Sequence, residues 1–315
     1  MSSRLHRGPV STGILPSGPA SRRAALRTGD RRLAFALPAA ALLLALSVWP
    51  LVQLASMSLH EVTSATINSE WLFVGLGNFG DLVAQPGFAR VVGNTAVFVV
   101  VVTVLGLVGG FAVAVAVSSS TRGGSFLLGL MVFVWALPPV VNGSNWKFLL
   151  GDHGLVNETL RALGLSDSIG FLYDPQLALW SVALVNAWAV IPFNALIFRA
   201  ALLGIDAEVL EAAEVDGAGP WQRIRYVHIP GARPPATGLT NLTVVEACRS
   251  CDCLGGMPAG GPGPASTTLP YLAYVEAFIK LDYGGGAATA LIALVVVIVL
   301  ALVYVRDVRR TEELS

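Results

Sequence analysis

Glu211-Ala212-Ala213-Glu214-Val215-Asp216-Gly217-Ala218, closed downstream by Ile229-Pro230, is a charged, glycine-hinged loop set between strongly apolar segments. Such a loop is built to be gripped by something outside a membrane. Gly204 can end the apolar segment before it, and Asp206 is placed to N-cap a short helix from Ala207 to about Asp216. Glu208 falls in the first turn of that helix, where the macrodipole favours an acid. Gly217 then breaks the helix. Pro220-Trp221-Gln222-Arg223-Ile224 puts proline near a helix start and predicts a second short helix before Ile229-Pro230. Two short helices at an angle, joined by a residue with no side chain, make the loop 204–233 a compact knob.

The flanks of the knob belong in lipid. Of 315 residues, 54% are hydrophobic and 13% charged, and the mean hydropathy is +0.68, too apolar for one ordinary soluble domain. A membrane helix needs roughly 20 apolar residues, and residues 33–57, 92–118, 125–150, 176–203 and 284–305 meet that length. Residues 1–32 differ: Ser, Gly, Pro and Arg dominate, so they read as a disordered tail. The 33–57 segment is longer than the core of a secretory signal, and no small-residue cleavage pattern follows it.

Cations set the orientation, because Lys and Arg stay on the cytoplasmic side during insertion. Arg4, Arg7, Arg22, Arg23, Arg27, Arg31 and Arg32 precede the first segment, and Arg306, Arg309 and Arg310 follow the last. Both termini therefore read as cytoplasmic, which requires an even number of crossings. Threading from inside puts 58–91 and 151–175 outside, and 204–233 inside with Arg223, Arg225 and Arg233. A sixth span must then lie between residue 234 and about 256.

That stretch is anomalous. In 235–256, Glu246, Arg249 and Asp252 sit where a span has its middle, and each central charge costs on the order of 2.5–3.5 kcal/mol on insertion scales. Spaced three apart, they would form one stripe on a helix and could pair. Charges and cysteines in place of an apolar run read as a compensated reading-frame change or a locally diverged helix. Cys248, Cys251 and Cys253 form C-x-x-C-x-C. A structural zinc site needs four ligands, and the only histidine nearby is His228, so the cysteines read as incidental and no metal is expected.

Residues 207–234 resemble, almost position for position, the E-A-A…G signature of the membrane subunits of ATP-binding-cassette importers: E-A-A, D-G-A, W-Q-R-I and I-P in order after a fourth span. Phe73-Val74-Gly75-Leu76-Gly77-Asn78-Phe79 with Asn94-Thr95 resembles the carbohydrate-uptake branch of that family. So do Trp146-Lys147-Phe148-Leu149 with Gly154-Leu155-Val156-Asn157, then Asn186, Trp188 and Pro192-Phe193, and finally Thr268-Leu269-Pro270 with 274–282. The likeness covers residues 33–310 and weakens across 236–258, where Gly260-Gly261-Pro262 matches the end of the family's glycine run.

The resemblance implies an all-α membrane protein of six transmembrane helices with the type I importer permease fold, multi-pass in a bacterial cytoplasmic membrane. It implies that Glu211, Ala212, Ala213, Asp216, Gly217 and Pro230 form the contact with a cytoplasmic ATPase. A second membrane permease subunit and an extracellular solute-binding protein follow as further partners, beside the lipid bilayer. No cofactor and no nucleic acid is implied.

The residues themselves agree on the energy source and exclude other classes. The chain has no G-x-x-x-x-G-K-[ST] loop, and its only lysines are Lys147 and Lys280. ATP must therefore be hydrolysed by another subunit. His6, His60, His153 and His228 are scattered without metal spacing, which argues against a membrane enzyme. The five clear spans carry no Asp or Glu, which argues against an ion-coupled transporter acting alone. The resemblance to the carbohydrate-uptake branch implies a sugar or polyol as the solute, with Asn142, Asn186, Trp188 and Asn194 as candidate path residues. Polar groups inside apolar spans are either functional or interhelical glue, and both readings stay open for each asparagine, Asn145 included. Two alternatives also stay open: a permease for an amino acid, polyamine or phosphate ester, and a subunit inactive through its fifth span.

Overall fold

The computed structural model describes residues 20–118, 122–166, 168–249 and 266–312. It divides into two compact units, Met1–Gln53 and Leu54–Ser315. The described part of the first unit is helix alone, the greater part of α1 (Ala20–Ser58). Residues 20–32 are thus helical where a disordered tail was expected, and 1–19 lie outside the described residues. Residues 20–27 are mostly Ala, Arg and Leu, which cost a helix least, and this local preference needs no apolar face. Leu43, Leu44, Leu46 and Trp49 of α1 stand exposed, as suits a helix apolar all round in hydrocarbon.

The second unit is built on α3 (Phe88–Ser118) and α7 (Ala178–Leu203), which pack along each other. Lipid gives no hydrophobic force between helices, so their association relies on close approach. Gly106-x-x-x-Gly110 supplies it. A Cβ at Gly110 would lie 2.6 Å from Asn194 Cβ and 3.0 Å from the Ala195 nitrogen, and one at Gly109 2.7 Å from Ile191 Cδ1. Phe98, Val99 and Val102 of α3 meet Val182, Ala183 and Val185 of α7 in one buried cluster.

The expected 125–150 span is not one helix. α4 (Arg122–Trp135) and α5 (Pro139–Leu149) are separate, and their apolar parts meet at a 99° bend. Pro138 and Pro139 explain the break, since neither has an N–H and proline drives its predecessor out of the α region. Pro138 is extended at φ −55° and ψ 135°, and Pro139 opens α5. Pro192, by contrast, lies inside α7 without ending it.

The fifth segment is helical as far as it is described. α10 (Ile229–Arg249) packs against α3 and α7, beginning before the expected 235; residues 250–256, with Cys251, Asp252 and Cys253, lie outside the described residues. Ala232, Leu239, Thr243 and Ala247 are buried in a stripe at helical spacing. Glu246 falls on the exposed side of the helix, so the charge that disturbs the sequence does not disturb the packed face. Thr237 and Thr240 hydroxyls donate to the carbonyls of Pro234 (2.6 Å) and Ala236 (2.8 Å) within the helix.

Among the described residues, Ala40–Ser58, Phe88–Ser118 and Ala178–Leu203 are long and apolar enough to cross a membrane, and the bent pair would make a fourth. Leu269–Ile279 and Tyr283–Val299 are apolar but shorter; the latter opens α12 (Tyr283–Glu312). Ahead of it come α11 (Leu269–Tyr274) and a π-turn, Val275–Ile279.

Polar side chains that begin the family-like motifs tie the loops together. β1 (His60–Glu61) pairs antiparallel with β2 (Leu72–Phe73), and Asn78 of α2 (Gly77–Ala84) donates to the carbonyls of Ser58 and His60, each at 2.9 Å. Asn94 donates to the Thr267 carbonyl at 3.2 Å, and the Thr95 hydroxyl accepts from Leu269 N–H at 2.8 Å. Leu281 is left-handed at φ +59°, and its carbonyl accepts from Ser64 N–H at 3.2 Å.

Candidate coupling loop and translocation path

α7 ends at Leu203 with Gly204 as its C-cap, and α8 (Ala207–Val215) follows after two residues. Asp206 holds the N-cap position as expected, but its carboxylate makes no capping bond; its carbonyl accepts from Val209 N–H at 3.1 Å instead. The helix ends in a Schellman motif. Ala218 N–H reaches the Ala213 carbonyl at 2.9 Å, and Gly217 N–H reaches Glu214 at 3.0 Å. That geometry needs a left-handed residue, and Gly217 supplies it at φ +75°.

The second arm departs from expectation. α9 (Pro220–Arg223) is one turn, with Gly219 N–H donating to Gln222 Oε1 at 2.7 Å. It does not stop before Ile229-Pro230 but continues through a π-turn, Ile224–His228, directly into α10. The widened turn precedes a proline whose ring would otherwise press on the carbonyl four residues back. The second arm of the knob is therefore continuous with α10, while α8 remains a separate helix. Arg223 and Glu214 form an ion pair between its two arms.

No residue of α8 is buried. Glu211, Ala212, Asp216, Gly217 and Pro230 are exposed and Ala213 is half-buried. Glu211 has no ion-pair partner among the described residues. Sequence reasoning did not single out Val215 (88% exposed), Trp221 (73%) and Tyr226 (69%), large apolar groups on the same loop. Their signal was an apolar residue within a polar loop, which composition alone does not separate from core. His228 is held below the ordinary histidine pKa by burial and by the Arg223 charge.

The four path residues do not form one polar cluster. Asn142, Asn186 and Asn194 are buried. Asn186 Nδ2 donates to the Val182 carbonyl of its own helix at 2.9 Å. Asn194 Oδ1 accepts from the Thr243 hydroxyl of α10 at 3.3 Å, while its Nδ2 is buried with no partner among the described residues. Asn194 also fills the notch left by Gly110. Trp188 stands edge-on to Trp146 of α5, ring centres 5.3 Å apart. Cys248 is buried and free, and no metal-holding group occurs among the described residues.

Residues 106–312 match the family model for the inner membrane component of binding-protein-dependent transport systems. The chain is 30% identical to the diacetylchitobiose uptake system permease protein DasB of Streptomyces coelicolor, over 96% of this chain and 98% of that protein. It is 32% identical to the sn-glycerol-3-phosphate transport system permease protein UgpA of Escherichia coli, over 83% of this chain and 88% of that one. Its fold matches a chain of a bacterial ABC transporter involved in importing the acidic polysaccharide alginate, at a TM-score of 0.75 and 19% identity, over 92% of this chain and 99% of that chain. The chain belongs to the inner membrane components of binding-protein-dependent transport systems, and is a permease subunit of an ATP-binding-cassette importer rather than an enzyme.

Proposed function

We propose that this permease carries a sugar or polyol across the bacterial cytoplasmic membrane and takes its driving force from a separate ATPase docked on the 204–233 knob. Glu211, Ala212, Ala213, Asp216 and Gly217 form the docking face, Pro230 fixes the exit of the chain into α10, and Val215, Trp221 and Tyr226 add the apolar anchor. The observation that carries the reading is that no residue of α8 is buried and that Val215, Trp221 and Tyr226 stand exposed on the same loop, a surface that monomeric proteins rarely leave uncovered.

In this reading residues 33–310 form the permease domain, crossing six times with both termini cytoplasmic after a tail at 1–32; the fifth crossing is 235–256. A second permease subunit completes the path, and a solute-binding protein delivers from outside. Closure of the ATPases draws the paired knobs together and turns the cavity outward. Asn142, Asn186, Trp188 and Asn194 line or brace the path; the unpaired Asn194 Nδ2 is a donor available to a hydroxyl. The diacetylchitobiose named for one relative supports a sugar, and the sn-glycerol-3-phosphate named for the other, a polyol phosphate ester, keeps the phosphate-ester alternative beside it.

The test is photo-crosslinking from position 212 in native membranes. An adduct with the ATPase subunit that changes with ATP supports the reading. Insertion with no such adduct at 212 or 216 overturns it.

A further inference from the structure

The outer end of α5 opens on a cavity of about 390 Å³ lined by Ser144, Lys147, Phe148, His153, Gly154 and Tyr173. Its size is within the range of small-molecule sites, roughly 300–1,000 Å³. Lys147 is one of two lysines in the chain and has no acidic partner among the described residues. The acids close by in sequence are engaged or do not line the cavity: Glu158 is paired with Arg161 at 2.6 Å and lies 3.8 Å from Nδ1 of the lining residue His153, Asp174 Oδ1 accepts from Gln176 N–H at 2.7 Å, and Asp152 is not in the lining. A cation in the last turn of a helix is ordinary by itself. This one is flanked by two exposed rings, Phe148 and Tyr173.

The walls are braced from behind. Asn157 of α6 (Leu155–Ala162), fully buried, donates to the carbonyls of Gly151 and Ile169, each at 3.0 Å, and accepts from Ile169 N–H at 2.9 Å. One side chain thus ties the loop that carries His153 and Gly154 to the loop that leads to Tyr173. A Cβ at Gly154 would collide with the carbonyl oxygens of Phe148 and Leu149, so the close turn depends on glycine there. A cavity held open in this way pays little to order itself around a ligand.

We infer that this cavity is an outer reception site for a sugar bearing a carboxylate or phosphate, with Lys147 as counter-charge and the Phe148 and Tyr173 rings against the sugar face. The Ser144 and Tyr173 hydroxyls serve the sugar hydroxyls. The inference rests on the carbohydrate-importer reading and on its orientation, but its test needs no ATPase, so either can fail alone.

The experiment is equilibrium dialysis of radiolabelled glucuronate and glucose against the full-length chain in phosphatidylcholine nanodiscs, repeated in phosphatidylglycerol nanodiscs. The expected result is saturable glucuronate binding, weakened at least about tenfold by Lys147→Gln, as fits the loss of one charge-assisted contact, and kept within about threefold by Lys147→Arg, which keeps the charge. Monodisperse elution of each variant establishes that it is folded. Equal binding of glucose and glucuronate, no saturation, or indifference to Lys147→Gln in folded protein would overturn the assignment. Binding in phosphatidylcholine that vanishes in phosphatidylglycerol would give the cavity to a lipid headgroup and also overturn it.

Discussion

Glu214 at the end of α8 and Arg223 at the end of α9 are joined as an ion pair across the knob, nine residues apart in sequence. The pair spans the Gly217 hinge, so it sets the angle between the arms. Both partners keep contact with water, so the pair is worth only about 0.2–1 kcal/mol. Its use is geometric.

Glu214→Arg and Arg223→Glu should each weaken ATPase binding by roughly two- to fivefold, the range an exposed ion pair supports. The double exchange should recover part of the loss, a coupling that a double-mutant cycle in a pull-down titration reads directly.

His228 gives this loop a pH dependence. Its folded pKa lies below the ordinary value of about 6.5, so the unfolded chain binds the proton more readily. Stability from this group is complete above that ordinary value and is lost as pH falls through it toward the lowered folded one. Thermal unfolding midpoints from pH 8 to about pH 5 should therefore fall less steeply for His228→Gln than for wild type. Arg223→Gln, by removing the second cause, raises the folded pKa toward the ordinary value, so the loss should still begin at that value but be smaller and end at a higher pH.

Gly110 and Gly129 should respond to alanine with opposite signs. At Gly110 the added methyl meets Asn194 and the backbone of Ala195, and overpacking of that kind costs about 1–3 kcal/mol. Gly129 of α4 has open space around it, so alanine should be neutral or stabilising by up to ~1 kcal/mol through helix propensity. Detergent unfolding of both variants checks the pair.

Asn157→Ala should leave the Ile169 N–H without its partner, at about 1–3 kcal/mol for that group, while the carbonyls of Gly151 and Ile169 lose one bond each but keep the N–H groups of Gly154 and Phe171. Limited proteolysis should then cut between residues 151 and 170 faster than in wild type, with the α3–α7 pair unaffected.

The knob was legible in the sequence because its signals are local. Gly217 and Pro220 act through their own backbone, and the order of E-A-A, D-G-A and I-P needs no tertiary knowledge. The run from α9 through the π-turn into α10 was not legible, because Pro230 reads as a stop where a widened turn lets the helix pass. The 99° corner at Pro138-Pro139 was not legible within the 125–150 span, because its size depends on what the two helices pack against. The role of Asn194 was beyond sequence for the same reason: its neighbours Gly110 and Thr243 are 84 and 49 positions away. Asn78, Asn94 and Asn157 stood within the motifs that signalled the family, and only the fold showed that each holds two loops together.

The most direct test of the account is co-purification of the tagged chain from native membranes with its ATPase, comparing wild type with Gly217→Pro and Glu211→Lys. Proline cannot adopt the φ of +75° at 217 and removes the N–H that bonds Glu214, while Glu211→Lys reverses a charge on the docking face that has no ion-pair partner among the described residues. The account predicts ATPase recovered with wild type and lost with both variants, while all three insert equally. ATPase retained by both variants, or absent from stably inserted wild type, would contradict it.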